Sequence, residues 1–331
     1  MSWQSLTIRL KQEVVGLLDY ESRCNLRLSS KDDKDVVDST KFKFKKVRIS
    51  ETHSQMSEGK TIIRCEMDSL TIWLIGKENL TRIDRGWNGE IIEELSEIKH
   101  EHRYEIFHRF LESWNEKKNG IHAESIEIDS VQFSPPPSIK PKCATLAIFT
   151  TDEEHYMAWM RKFLKVSKNF EKLHIVWCAA EEGFTRVFSG IQVTKSFYLE
   201  QEMNMTDEEF DKFEALDLKI SLVGITVDGV RRKLEKFLKF GRKTDTFDVF
   251  IPRFENFDAK TQLFPNEWIL KETVVTSEEG SFVGKIIGGF KNDHGIQDSR
   301  LIGCYIYADK IQIKCEIEDK LDPPPSQLYP F

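Results

Sequence analysis

The sequence predicts an α+β protein whose middle third is built from α/β units. Three observations predict this class. The first forty residues carry apolar side chains at helical spacing, and the next segment alternates apolar and polar residues as strands do. The middle of the chain alternates short strands with helices, and the last segment returns to strand-like runs separated by glycines. We therefore expect a helical head, a small sheet, a strand–helix array and terminal antiparallel strands.

Composition indicates a globular chain with enough apolar residues for a core. Of its 331 residues, 40% are hydrophobic and 31% are charged. The 48 basic and 55 acidic side chains give a net charge of -7, which argues against a protein that binds duplex nucleic acid. The six cysteines are dispersed and include no CxxC pair, so we expect free thiols in a reducing compartment and no metal site.

The sequence carries no recognisable secretion or membrane signal. No basic head followed by an apolar run comes after Met1, and no stretch approaches the roughly 20 apolar residues that a membrane helix needs. We therefore expect no membrane partner, and a location in the cytoplasm, the nucleus or both.

The head, residues 1–40, has the pattern of three short helices. Four apolar residues recur every four positions and share one helical face: Leu6, Leu10, Val14 and Leu18. Asp19 can cap a second helix, and Ser30 begins a capping-box pattern for a third. Helices this small cannot bury so much apolar surface alone. Their apolar face must pack on the rest of the chain or dock on a partner.

Residues 41–120 are expected to form a small antiparallel sheet and a connecting helix. Alternating or β-branched runs at 42–49, 61–67, 70–75 and 79–85 predict strands. Apolar spacing over 91–116 predicts a long helix with a break near His100.

Residues 121–260 are expected to form an irregular leucine-rich-repeat-like βα region with a parallel sheet. Predicted strands at 125–128, 145–149, 173–177, 196–199, 216–223 and 246–251 alternate with helices, including 152–164, a capped helix from Thr206 and 227–240. Residues 261–331 are expected to form antiparallel hairpins at 268–275, 281–287, 301–307 and 311–317, and then a proline-rich tail at 322–326.

No motif in the chain predicts catalysis, a metal site or a cofactor. Gly59-Lys60 resembles the end of a phosphate-binding loop, but Ser54 stands where that loop requires glycine, so a hairpin turn is favoured. His100, His102 and His108 have no acidic or cysteine partner at a defined ligand spacing, so a solvated helical face is favoured over a metal site.

The helix predicted at 227–240 carries a basic flank beside a concentration of phenylalanines. The flank consists of Lys233, Lys236, Lys239, Arg242 and Lys243. A solvated face is favoured for it, and a surface for an acidic partner is the alternative. Most of the neighbouring phenylalanines are expected in the core, with one or two at the surface as contact residues.

The head resembles the F-box of the large nematode F-box family. The matching residues are Trp3, Leu18-Asp19-Tyr20, Arg23-Cys24-Asn25-Leu26-Arg27, Ser30-Lys31-Asp32-Asp33 and Val37-Asp38-Ser39-Thr40. One residue departs from the pattern: Thr7 stands where the family has a proline, which would pre-set the first helical turn.

This resemblance implies a non-catalytic adaptor that recognises substrates for an SCF-type E3 ubiquitin ligase. The head would dock on a Skp-type linker protein that joins it to the cullin ligase core, and the C-terminal F-box-associated region would hold an unknown protein substrate. The residues implied in adaptor binding are Leu6, Leu10, Val14, Val15, Leu18, Leu26, Leu28, Val36 and Val37. Leu26, Leu28, Val36 and Val37 would also close the helical bundle. Thr7 motivates an alternative, an F-box-derived interaction module no longer coupled to a ligase.

Overall fold

The computed structural model describes most of the chain. It describes residues 2–40, 43–53, 61–77, 80–87, 90–99, 102–118, 120–150, 152–177, 190–242, 244–252, 257–263, 269–273, 282–291, 297–307 and 310–317. Short helices at the amino end precede a strand-rich remainder, which confirms the predicted α+β class. The proline-rich tail, the Gly59-Lys60 turn, His100 and Lys243 lie outside the described residues.

The helices and strands, in chain order, have the following limits. The helices are the 3-10 turn Trp3–Ser5, α1 Ile8–Leu17, α2 Tyr20–Ser29, α3 Lys31–Ser39, α4 Arg103–Lys118, α5 Glu153–Val166, α6 Asp207–Lys212, α7 Val227–Phe240 and α8 Ala259–Gln262. The strands are β1 Phe44–His53, β2 Thr61–Met67, β3 Leu70–Lys77, β4 Leu80–Trp87, β5 Glu90–Lys99, β6 Ile121–Asp129, β7 Pro141–Lys142, β8 Thr145–Thr150, β9 Asn169–Trp177, β10 Gln192–Asn204, β11 Asp217–Val223, β12 Phe247–Pro252, β13 Ile269–Thr273, β14 Phe282–Lys291, β15 Gln297–Tyr307 and β16 Lys310–Ile317.

The chain divides into two compact units. The first comprises Met1–Phe170 and Trp177–Ala179, and the second comprises Glu171–Val176 and Ala180–Phe331. The division falls inside the segment 121–260 that the sequence marks as one region. The domain limits expected at 40, 120 and 260 stay predictions.

The first unit holds the head and a mixed sheet with strand order β8-β6-β1-β2-β3-β4-β5. Strands β1 to β5 form an antiparallel meander, which confirms the predicted small sheet, and β6 lies parallel to β1 and β8. Alternate side chains of β2, such as Ile63 and Cys65, are fully buried, as expected for a strand with one face on a core. Helices α4 and α5 bury Phe107 and Trp159 almost completely.

The long helix predicted over 91–116 is a strand followed by a helix. Residues Glu90–Lys99 form β5, antiparallel to β4, and α4 begins only at Arg103. Ile91 and Ile92 are 55% and 66% exposed, so the apolar spacing does not mark a buried helical face. A short apolar run is compatible with either a helix or a strand. Hydrogen bonding with the backbone of β4 therefore determines that this segment is a strand.

The second unit has strand order β9-β10-β11-β12-β16-β15-β14-β13. Strands β10, β11 and β12 are parallel, as the strand–helix alternation predicts, and helices α6 and α7 connect them. Strands β13 to β16 are antiparallel, which confirms the terminal hairpins, and β16 pairs with the last parallel strand, β12. The leucine-rich-repeat-like character of this region stays a prediction.

Helix α6 begins with the capping box that the sequence predicts. The Thr206 hydroxyl accepts a hydrogen bond from the Glu209 amide, and the Glu209 carboxylate accepts one from the Thr206 amide. Helix α7 turns Val230, Leu234 and Phe237 inward, each 2% exposed or less. These helices bury one face of the parallel strands.

Candidate interaction site on the helical head

The three helices of the head share a small apolar core. Val15 is fully buried, and Val36 and Val37 are each 4% exposed. Three partly buried side chains pack against these valines: Trp3, Leu18 and Leu26. The head therefore fills its own centre with residues from all three helices.

A hydrogen-bonded carboxylate joins the start of the head to α3. The indole Nε1 of Trp3 donates to Oδ1 of Asp33 at 2.7 Å, and Oγ of Ser30 donates to Oδ2 at 2.7 Å. These two donors, Trp3 first, hold the pKa of Asp33 below its ordinary value because they favour the charged carboxylate. Trp3 is thus fixed in position against the third helix.

A buried arginine donates hydrogen bonds to carbonyl groups at the end of α1. Arg23 is 5% exposed and donates from Nε to the Leu18 carbonyl and from Nη2 to the Gly16 carbonyl, both at 3.1 Å. The last carbonyls of a helix lack partners within the helix, so Arg23 supplies them from α2. Burial lowers the pKa of its guanidinium.

Each helix of the head has a side-chain N-cap. Asp19 accepts from the Ser22 amide at 2.7 Å and Ser30 from the Asp33 amide at 3.1 Å, which confirms the two predicted caps. Thr7 caps α1 by accepting from the Leu10 amide at 3.4 Å. Thr7, which stands where the family has a proline, is therefore the residue just before α1, which begins at Ile8.

Helix α1 presents a second apolar face to solvent, which we call the outer ridge. It consists of Leu10, Val14 and Leu17, which are 44%, 41% and 88% exposed. At about 100° per residue these side chains span roughly 60° of the helix and turn away from the buried Val15. A helix that only closes its own bundle carries polar residues on its outward side. The outer ridge is therefore a candidate contact surface.

The predicted adaptor-binding residues fall into three groups. Val15, Val36 and Val37 are buried, Leu6, Leu18 and Leu26 are half-buried, and Leu10, Val14 and Leu28 are exposed. The expectation that Leu28 closes the bundle is wrong, because it is 83% exposed. It lies two positions after Leu26, about 200° around α2, and so on the opposite side of that helix.

Sequence reasoning left two exposed apolar residues out of the site. Ile8 is 64% exposed and Leu17 is 88% exposed. The seven-residue spacing of Leu10 and Leu17 is the signal that marks Leu17 as part of the ridge. For Ile8 the helical spacing offers no such signal, since it lies on the side of Val15.

Two histidines of the first unit, His108 and His155, contact Ser134. Nε2 of His108 lies 2.9 Å from the Ser134 carbonyl oxygen, and Nδ1 of His155 lies 3.2 Å from the Ser134 hydroxyl. Among the described residues, no three His, Cys, Asp or Glu side chains are grouped as they would be around a metal ion.

One residue of the predicted basic flank is not on the surface. Lys233 is 1% exposed, its Nζ donates to the Phe213 carbonyl, and it lies 5.5 Å from the centre of the Phe210 ring. The prediction of a solvated side chain is wrong for Lys233, because it lies on the inward side of α7. Burial lowers its pKa to about 8. Phe240, at the end of α7, is 65% exposed, as expected for one of the phenylalanines.

The fold and the ridge define an α+β protein with a helical head that offers an exposed apolar contact surface. No helix in the described ranges is both long and apolar enough to cross a membrane. No family model matches the chain, and no solved structure matches it.

The chain is similar to a curated protein of Caenorhabditis elegans that is named an uncharacterized F-box protein. The two are 24% identical over 259 residues, which is 71% of this chain and 66% of the relative. The chain thus spans just under two thirds of the relative that it matches. This likeness supports the nematode F-box resemblance that the residues of the head indicate.

Proposed function

We propose that this chain is a substrate-recognition adaptor of an SCF-type E3 ubiquitin ligase, located in the cytoplasm, the nucleus or both. The observation that supports this most is the outer ridge. Leu10 and Val14 are more than 40% exposed although the head has its own filled core. An apolar surface of this kind gains free energy when a partner covers it.

In this proposal the outer ridge and Leu28 contact a Skp-type linker directly. Val15, Val36 and Val37, being buried, act by holding α1 in place. The chain itself is non-catalytic. It brings a bound substrate close to the ubiquitin-charged enzyme on the cullin core, and proximity alone lowers the barrier for transfer.

The test is adaptor binding by the purified full chain carrying Leu10→Asp and Val14→Asp. Leu10 and Val14 are 44% and 41% exposed, so covering the rest of both is worth about 1 to 3 kcal/mol. We therefore expect the double variant to weaken binding by at least about tenfold. Val166→Asp is the matched control, since Val166 is a 38% exposed apolar residue at the end of α5. Unchanged adaptor binding in a folded double variant would contradict the proposal.

The alternative, an interaction module uncoupled from a ligase, differs in one measurable outcome. Reconstitution of the chain with the linker, cullin core and ubiquitin enzymes should transfer ubiquitin to proteins bound by the chain. Adaptor binding without any transfer would favour the uncoupled module.

A further inference from the structure

Strand β5 forms one edge of the sheet in the first unit. Among the described strands it pairs with β4 on one side, and the strand order ends with it on the other. It has ten residues, whereas an ordinary strand has about five or six. A strand that is paired on one side leaves backbone N–H and C=O groups pointing outward, and a further strand can bond to them.

Two apolar side chains of β5 face solvent. Ile91 and Ile92 are 55% and 66% exposed. The register with β4 skips Ile92, which is therefore the extra residue of a β-bulge. A Cβ on Gly86 of β4 would lie 1.8 Å from the Glu90 carbonyl oxygen. Glycine at position 86 therefore permits the close approach that positions the two isoleucines.

The features of β5 select among strands that could pair with it. Charged side chains and bulges keep a sheet edge from pairing with every strand that it meets. Exposed isoleucines have the opposite effect, since apolar side chains on an edge favour the addition of a strand that covers them. An edge that carries both kinds of feature discriminates between partners by charge.

The charge that β5 offers to solvent is negative. Its sequence, EIIEELSEIK, contains four glutamates and one lysine. Glu90 and Glu97 are exposed, and neither forms an ion pair or a hydrogen bond within the described part of the chain. A cation supplied by a partner strand can therefore pair with either carboxylate.

The neighbouring arginines of β4 are engaged with residues of their own strand. Nη2 of Arg82 donates to Oδ2 of the fully buried Asp84 at 2.8 Å. The guanidinium group of Arg85 lies 5.2 Å from the centre of the Trp87 ring. These contacts hold the two arginines on β4, away from Glu90 and Glu97.

We infer that β5 binds an extended segment of a partner protein in which apolar residues alternate with lysine or arginine. The segment adds to the sheet as a further strand, covers the two isoleucines and brings its cations near Glu90 and Glu97. A second copy of this chain fits less well, because pairing two β5 strands sets glutamates against glutamates. That the partner is a ubiquitination substrate rests on the proposed function, but the binding itself does not.

The test is fluorescence anisotropy with the full chain and a labelled synthetic peptide in which valine alternates with lysine. One control peptide has glutamate in place of lysine. A second control keeps the side chains but carries a methyl group on every backbone amide nitrogen, so it cannot donate hydrogen bonds to a strand. We expect only the unmodified basic peptide to bind, with an affinity that falls as salt is raised.

Variants of β5 separate the apolar contribution from the charged one. Ile91→Thr combined with Ile92→Thr keeps the β-branched shape that suits a strand and should weaken peptide binding about tenfold. Glu90→Lys combined with Glu97→Lys should weaken it severalfold. In the complex, hydrogen exchange of β5 amides should slow, because the peptide accepts from those that point outward.

Helix α5 provides the matched controls. Val166 at its end is a 38% exposed apolar residue, and Glu154 in its first turn is an exposed carboxylate. Val166→Thr and Glu154→Lys should each change the affinity less than about twofold.

Four results would overturn the inference. They are failure of the basic peptide to bind the unaltered chain, equal binding of the acidic or the methylated peptide, and equal losses in the β5 and α5 variants. The fourth is self-association of the chain that the two isoleucine substitutions abolish, because a second copy would then occupy the edge. Sedimentation of the unaltered and substituted chains measures it.

The same peptide assay separates this inference from the proposed function. The chain carrying Leu10→Asp and Val14→Asp should bind the basic peptide as the unaltered chain does. Loss of adaptor binding with peptide binding intact supports both proposals. Intact adaptor binding in that variant contradicts the ligase role alone, and a basic peptide that fails to bind the unaltered chain contradicts the edge-strand inference alone.

Discussion

The indole nitrogen of Trp3 donates to Oδ1 of Asp33 at 2.7 Å and joins the first turn of the chain to its third helix. Trp3→Phe keeps an aromatic ring but removes this donor. Since the donor favours the charged carboxylate, we expect the Asp33 pKa to rise towards its ordinary value of 3.8. An NMR titration of the Asp33 carboxyl group in the two proteins measures this.

The same bond predicts how the head responds to acid. A carboxylate whose pKa is lowered by folding stabilises the fold above its unfolded pKa, and that stability is lost as pH falls through the lower folded value. Amide protection in α1 and α3 should therefore decrease below about pH 3.8, and Trp3→Phe should show lower protection at neutral pH and a smaller decrease with acid. Asp32→Asn, at an exposed position of the same helix, is the control and should leave the profile unchanged.

We expect position 7 to tolerate proline better than alanine. Thr7 has φ -64 and Leu6 before it is extended, so both already suit a proline at position 7. Thr7→Ala removes the N-cap and should destabilise the head by about 1 kcal/mol. Thr7→Pro also removes the cap, but proline lowers the conformational entropy of the unfolded chain. This should offset about 0.4 to 1 kcal/mol of the lost stability.

Thermal unfolding of the three proteins tests this order of stability. Adaptor affinity of Thr7→Pro should stay within a few-fold of the unaltered chain, because the ridge residues do not move. A large gain in affinity would instead favour the uncoupled-module alternative.

Arg23 should be the most sensitive polar residue of the head. Arg23→Ala leaves the Leu18 and Gly16 carbonyls without this donor, and we expect a loss of about 2 to 3 kcal/mol in the stability of the head. Arg27→Ala is the comparison, because Arg27 forms an exposed ion pair with Asp38 at 2.8 Å. Surface pairs contribute about 0 to 1 kcal/mol. Hydrogen exchange of α1 amides measures the stability lost in each variant. Equal losses of stability in Arg23→Ala and Arg27→Ala would contradict the capping role of Arg23.

Lys233 should give the second unit a stability that rises with alkaline pH. Its pKa is about 8 in the folded protein and 10.5 ordinarily. Between these values the unfolded chain binds more protons, so stability increases with pH over that window. Denaturant unfolding from pH 7 to 10.5 should show this rise, by about 3 kcal/mol at about 1.4 kcal/mol per pKa unit.

Lys233→Met keeps the side-chain volume and removes the titrating group, so its unfolding profile should lose that rise. Lys239→Met removes an exposed lysine of the same helix and should keep the rise. A Lys233→Met profile parallel to that of the unaltered chain would contradict the buried-charge interpretation.

The elements that sequence predicts well are those in which local and long-range forces agree. Thr61–Met67 is predicted and observed with the same limits, because its alternation matches its burial. Val227–Phe240 likewise has a cap at Thr226 and one inward apolar face. The local pattern predicts the wrong element where hydrogen bonding between strands determines the structure. Strand β5 is the example, since Ile91 and Leu95 have helical spacing but the segment pairs with β4.

The candidate site shows the same limit at the level of single residues. The apolar stripe of α1 is visible in the sequence, but which residues face inward is not. Val14 and Val15 are adjacent and chemically identical, yet one is 41% exposed and the other fully buried. Lys233 is a different case, because it lies three positions after Val230 and four before Phe237 and so shares their inward face by helical spacing alone.

The bonds that join Trp3 to Asp33, Gln12 to Ser39 and Arg27 to Asp38 all close within the first forty residues. Such short sequence separations favour fast folding. During synthesis the amino end leaves the ribosome first, so we expect the head to acquire its shape while the remaining strands are still being made. The surface offered by Leu10, Val14 and Leu17 is then available for capture before translation ends.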